Sequence, residues 1–313
     1  GQGIIGIYYA KTSVFFTSFI CIIFILIKNT RALPSFKFIK KILIFGLPLI
    51  PMMLLMPVLN VSDRYFLKLF TSLEEIGRYG IAYKFGMLIN MFLVIPINRS
   101  WGPQMFQVGK SKEENRKIHQ DLTFYYSYIG WFIIVGLSFF SDTIISIVAN
   151  KEYLAAAWLI PWVSLAYFVG GFKIFFLASA TLADRTDLLV KTGLLAIITN
   201  VCLNYFFIKN YGVEGAVLST ILSNLILILL LLNFTKSVNQ FSWPMKKIVH
   251  GAIIACFIII LFKTFQEFAI DYTFVVKWIL LMMFPILSLF TKLIGEKEIN
   301  GVKYLWHFIF RKL

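Results

Sequence analysis

Long apolar stretches follow one another along almost the whole chain, separated by short clusters of Lys, Arg, Asn and Glu. Runs of about 18 or more apolar residues can cross hydrocarbon as helices. They are continuous, without the strict alternation of barrel strands. The bilayer core offers no water to bond the backbone, so each run must satisfy its own amides and carbonyls as helix. The pattern predicts nine spans, at about 4–27, 42–70, 78–106, 121–149, 154–182, 188–208, 215–234, 247–265 and 273–294. Their short connections make successive helices antiparallel neighbours. The expected fold class is an all-α polytopic membrane protein, a helical bundle.

Composition agrees with that reading. Of 313 residues, 59% are hydrophobic and 14% charged, with a mean hydropathy of +0.81, whereas soluble domains average about 45–50% and 25%. The net charge of +15 does not point to nucleic acid, because the basic residues are spread over membrane-flanking loops and form no single stripe. They fall on alternate loops: Lys28, Arg31, Lys37, Lys40 and Lys41; Lys110, Lys112, Arg116 and Lys117; Arg185 and Lys191; Lys236, Lys246 and Lys247; and Lys292, Lys297, Lys303, Arg311 and Lys312. The opposite side carries only Arg78, Lys151, Lys209, Lys263 and Lys277, accompanied by Glu74, Glu75, Glu152, Glu214, Glu267 and Asp271. By the positive-inside rule the first set is cytoplasmic. A multi-pass inner-membrane protein with a cytoplasmic carboxy terminus follows as the expectation. Residues 295–313 mix cations with Val302, Leu305, Trp306, Phe308 and Phe310 and read as an interfacial cytoplasmic tail. The first residue is Gly1 and no signal peptide precedes the first span, so the start reads as cut from a longer protein. The histidines and cysteines lack the spacing of a metal site or a nucleophile with its base, and no catalytic residue, metal or cofactor is assigned.

The second span, KILIFGLPLIPMMLLMPVLNVSDRYFLKLF, carries most of the candidate chemistry. Pro48, Pro51 and Pro57 lack amide donors and invite a helix bend of the kind that transporters use. Beyond them, Asn60, Asp63, Arg64 and Lys68 fall within about 140° of one another on one helical face. Lys84, Arg99 and Lys173 place further cations inside spans, as does Lys11. A charge at bilayer depth costs about 2.5–3.5 kcal/mol on insertion scales and usually faces a bundle interior or a wet cavity. Arg64, Lys84, Lys173, Lys68 and Arg99 are therefore the expected lining of a cationic cleft suited to a phosphate, with Lys11, Lys68 and Arg99 also placed to snorkel toward span ends. Asp63, with Asn60 beside it, is either a structural partner of Arg64 or Lys84 or a titrating group that couples transport to an ion. Aromatic residues make up 17% of the chain; most read as an interfacial belt, and none is assigned to the cleft.

The segments FGLPLIP, NVSDRYFLKLFTSLEEIGRYGIAYKFG and SWGPQMF, followed later by TGLLAIITNVCLNYFFIKNYGVEGAVLSTILSN, resemble the carboxy-terminal half of Wzx-type polysaccharide (O-antigen) flippases. These belong to the exporter superfamily that includes multidrug antiporters and lipid II flippases. The resemblance covers roughly residues 1–235. It implies two six-helix bundles around a central cleft, a MATE-like flippase fold, with residues 1–27 as the last helix of a missing amino-terminal bundle. Residues 42–234 would then be the carboxy-terminal bundle and 247–294 two additional helices. Asp63 and Arg64 match the family's Asp-Arg pattern, and Trp101, Gly102 and Pro103 match its next turn region.

The function so implied is movement of undecaprenyl-diphosphate-linked oligosaccharide repeat units across the inner membrane for O-antigen (lipopolysaccharide) or capsule biosynthesis. The implied partners are the lipid-linked oligosaccharide, membrane lipid and the missing amino-terminal half, with a polysaccharide polymerase and chain-length proteins as candidates. A multidrug or ion antiporter of the same fold is the nearest alternative, and it calls for more buried acids than Asp63. A membrane glycosyltransferase or polymerase is the alternative of another class. It calls for a long outer loop bearing catalytic acids or arginines.

Overall fold

The computed structural model describes residues 3–29, 35–37, 39–40, 43, 62–107, 112–149, 151–176, 186–235, 243–267, 274–295 and 298. All regular structure among them is helical, as the apolar periodicity predicts. Six of these helices are long and apolar enough to cross a membrane by length and composition, and Phe274–Phe290 is a shorter apolar one. The protein is a multi-pass membrane protein.

The chain divides into two compact units, Gly1–Leu54 and Leu55–Leu313. In the first, α1 (Gly3–Asn29) is apolar around most of its surface, with Lys11 as a cation within it, the composition of a span immersed in lipid or protein. Pro48, Pro51, Pro57 and Asn60 lie outside the described residues, as does nearly all of the 295–313 tail.

The second unit begins with α2 (62–70), the last part of the predicted second span. Next comes α3 (Leu73–Gly86), capped by Ser72, whose hydroxyl accepts the Glu75 amide at 3.3 Å. A turn at Met87 and a π segment, Asn90–Val94, lead into α4 (Ile95–Gln107). The π segment has a local cause. Pro96 has no amide to give and its ring crowds the preceding turn, so the Ile95 amide bonds the Asn90 carbonyl five residues back. Then follow α5 (Lys112–Val148), a 3₁₀ turn at Lys151–Ala156, α6 (Leu159–Gly171), α7 (Thr186–Thr235), α8 (Met245–Glu267) and α9 (Phe274–Phe290).

α7 is a hairpin. Gly212 has φ 54°, ψ −130°, outside the helical region, and the two arms face each other, with Asn204 bonded to Ser219 and Asn200 to Ser223. The two predicted spans 188–208 and 215–234 are these arms. Only a residue without a Cβ turns there without strain.

α5 sits at the centre and contributes to all three buried clusters. One gathers Leu67, Tyr79, Ala82, Leu159, Ile160 and Val163 from α2, α3 and α6 around Leu137 and Ile145. A second packs Ile258 and Phe262 of α8 and Phe284 of α9 on Phe124, Val135 and Phe139. The third joins Leu93, Trp101, Phe168 and Phe175 around Tyr126 and Ile134. Lipid tails are as apolar as Leu, so this packing holds through close van der Waals contact and bonds between helices more than through exclusion of water.

Candidate functional site

Asp63 is the charged residue that α2 turns into the unit, with 5% of its surface exposed. Its Oδ2 accepts the Tyr79 hydroxyl of α3 at 2.5 Å, and its Oδ1 accepts the Arg64 amide at 2.8 Å. Both oxygens are thus engaged locally. A carboxylate bonded in this way is fixed in place and holds α2 against α3.

Arg64, one residue on, points the other way and is exposed. Its guanidinium carbon lies 5.1 Å from the centre of the Tyr83 ring, within cation–π range. Among the described residues no carboxylate lies within ion-pair distance of it. Tyr83 belongs to a run of tyrosines. Its ring centre is 5.8 Å from that of Tyr79 and 5.5 Å from that of Tyr167 on α6. α2, α3 and α6 therefore bring one acid, one arginine and three tyrosines together.

The remaining expected cations are placed differently. Lys68 lies on the same side of α2 as Arg64, one turn on, and is exposed; Lys84 is exposed on α3; Lys173, just after α6, is half-buried. The span that holds Lys84 and Arg99 runs as one helical stretch. Fifteen residues at about 1.5 Å each separate them by about 22 Å, so these two do not meet around one phosphate. Within this chain Arg64, Lys68, Lys84, Arg99 and Lys11 are all exposed, because helical periodicity fixes a face without saying which element covers it.

Beside Asp63 the chain builds a neutral polar cluster that the sequence reading did not single out. The Ser62 hydroxyl donates to Asn200 Oδ1 at 3.0 Å. Asn204 Nδ2 donates to Ser62 Oγ at 3.0 Å and to Asn200 Oδ1 at 3.1 Å. Asn200 Nδ2 reaches Ser223 Oγ at 3.1 Å, and Ser219 donates to Asn204 Oδ1. All five residues are buried. Their bonds tie α2 to the first arm of the α7 hairpin and that arm to the second, satisfying amides and hydroxyls that lipid could not. The signal was present: Asn at 200 and 204 and Ser at 219 and 223, each pair one turn apart in otherwise apolar arms.

The family described as polysaccharide biosynthesis protein matches residues 3–109, the stretch that holds α2, α3 and the Asp63–Arg64 pair. No curated protein matches the chain. Among solved structures, lipid II flippase MurJ in its inward closed conformation is similar, with a TM-score of 0.61 and 16% identity over 86% of this chain. The chain spans 59% of the length of that structure. Residues 3–109 thus carry the match to the polysaccharide biosynthesis family, on a fold shared with a lipid II flippase, as the sequence motifs implied.

Proposed function

We propose that this chain is part of a flippase that moves undecaprenyl-diphosphate-linked oligosaccharide repeat units across the inner membrane, for O-antigen or capsule assembly. The observation that carries the proposal is Arg64. It is an exposed arginine with no described carboxylate in ion-pair range, set over the Tyr83 ring, while its acidic neighbour is engaged by Tyr79. A planar guanidinium with its donors unused matches a phosphate better than any neutral group. The family match and the MurJ-like fold support a lipid-carrier substrate.

In this reading residues 42–234 form the second of two six-helix bundles. Residues 1–27 close the preceding bundle, 247–294 are two additional helices, and 295–313 lie at the cytoplasmic surface. Arg64, Lys84, Lys173 and Lys68 line the cleft, with Arg99 at its cytoplasmic rim, while Asn60 and the Pro48, Pro51 and Pro57 bend shape the helix that opens it. Asp63 serves as a structural partner of α3, and the protein transports without catalysing a reaction. An antiporter of cations calls for several buried acids. Among the described residues Asp63 is the one buried acid, and both of its oxygens are engaged.

Complementation tests the proposal. In a null strain the full-length protein restores surface polysaccharide, and full-length Arg64→Gln, Lys84→Gln and Lys173→Gln variants present at normal membrane levels do not. Restoration by all three variants overturns the cationic cleft.

A further inference from the structure

The arrangement around Arg64 extends to two tyrosines. Arginine side chains carry about 2 kcal/mol of rotamer entropy, so an exposed arginine binds an anion well only if something holds it in place. Here the Tyr83 ring supplies a face at 5.1 Å. That ring is held in turn by Tyr79, itself fixed on Asp63, and by Tyr167. The hydroxyls add a second feature. Tyr83 and Tyr167 meet edge to face, with ring centres 5.5 Å apart, so both hydroxyls belong to one cluster. Among the described residues no other group accepts a hydrogen from either hydroxyl. An unused hydroxyl donor therefore sits beside an unused guanidinium, with no described carboxylate in ion-pair range to satisfy either. A group that offers only donors selects an acceptor-rich anion.

We propose that Tyr83 is a positioning residue for Arg64 and that Arg64, Tyr83 and Tyr167 make one subsite for a phosphate of the lipid carrier. This rests on the flippase reading above and deepens it. The guanidinium takes two phosphate oxygens, the ring fixes its plane, and the free hydroxyl takes a third oxygen.

Binding of undecaprenyl diphosphate to purified full-length protein tests this, read as ligand-induced stabilisation across a concentration series. Undecaprenol, which lacks phosphate, is the control for binding of the lipid tail. Arg64→Gln weakens binding of the diphosphate and leaves undecaprenol unchanged. Tyr83→Leu removes the ring face and weakens the diphosphate by roughly 3- to 30-fold. Tyr83→Phe keeps the ring and loses less, so it is the conservative rescue. Because Tyr83 acts through Arg64, the Tyr83→Leu and Arg64→Gln double variant binds about as weakly as Arg64→Gln alone. Unfolding midpoints without ligand, measured for each variant, separate binding loss from misfolding. If Arg64→Gln weakens binding while Tyr83→Leu does not, or if the two losses add, the positioning role is wrong and the flippase reading stands. If Arg64→Gln leaves diphosphate binding unchanged, both fail.

Discussion

Gly86 of α3 packs its backbone closely against Val163 and Ser164 of α6, and replacing it with Ala should drive the two helices apart. A Cβ at Gly86 would lie 2.5 Å from Val163 Cγ1, 2.6 Å from Val163 Cβ and 3.1 Å from the Ser164 amide nitrogen. Carbon atoms prefer about 3.5–4.0 Å, so relief needs a shift of about 1 Å. Val163 Cβ and the Ser164 amide belong to rigid parts of α6, so a rotamer change cannot supply it. Overpacking of this kind costs about 1–3 kcal/mol. The Ser164 hydroxyl, 3.4 Å from the Gly86 carbonyl, would be carried away with α6. The same helix contains its own control. A Cβ on Gly80 meets nothing within 4 Å, and Ala there removes backbone entropy from the unfolded chain, so it should be neutral or stabilising by up to about 1 kcal/mol. Unfolding of the full-length protein in detergent reads both. Gly86→Ala should lower stability, Gly80→Ala should not, and adding Val163→Ala should recover part of the Gly86→Ala loss, since the Cβ contact remains. α3 carries Tyr83 and α6 carries Tyr167, so Gly86→Ala should also weaken ligand binding. Wild-type stability in Gly86→Ala, or equal damage from Gly80→Ala, refutes the close-crossing argument.

Further predictions concern the hairpin and the cytoplasmic end. Asn204→Leu breaks one bond to Ser62 on α2 and one to Ser219 on the opposite arm; at about 0.6 kcal/mol per interhelical bond it should cost about 1.2 kcal/mol in the same unfolding assay. At Gly212 a Cβ would come no closer than 3.6 Å to Thr71 Cγ2, so the cost of Gly212→Ala is backbone strain alone, about 1–3 kcal/mol, and Gly212→Asn should cost a similar amount, because ψ −130° lies outside the left-handed helical region that Asn tolerates. Glu298, outside the spans, has its pKa lowered. Burial opposes the shift, but hydrogen bonds from its own amide and that of Gly295, together with the Lys247 ammonium 3.6 Å away, outweigh it. A depressed carboxyl stabilises the folded state above its unfolded pKa and loses that contribution as pH falls through the folded value. Detergent unfolding should therefore show acid destabilisation that Glu298→Gln lacks. The effect should be small, since Lys247 is about half exposed.

The spans and the helical class were legible because hydrophobic length is the strongest signal a membrane chain gives. The turn at Gly212 was legible for the same reason: a glycine lay between two apolar arms. The π segment before Pro96 was less so, because periodicity reports that a helix continues without reporting a slipped hydrogen bond. Charge in a span identified Asp63 and Arg64 as unusual, without showing which groups they meet. Adjacent residues on a helix diverge by about 100°, which sends Asp63 inward to Tyr79 and Arg64 outward to Tyr83. The tyrosines were hidden by their abundance. In a chain with 14 Tyr, only the convergence of α2, α3 and α6 separates Tyr79, Tyr83 and Tyr167 from residues of the interfacial belt.

The central claim is that Arg64 meets a phosphate of the lipid carrier, and transport itself tests it most directly. The full-length protein in liposomes should move an undecaprenyl-diphosphate-linked saccharide between leaflets, and Arg64→Gln should slow that movement by about tenfold or more at unchanged stability, as expected for loss of a charged hydrogen-bond donor. Arg64→Lys should recover only part, because an ammonium cannot engage two oxygens in the plane of a fork. Full-rate transport by Arg64→Gln would contradict the account.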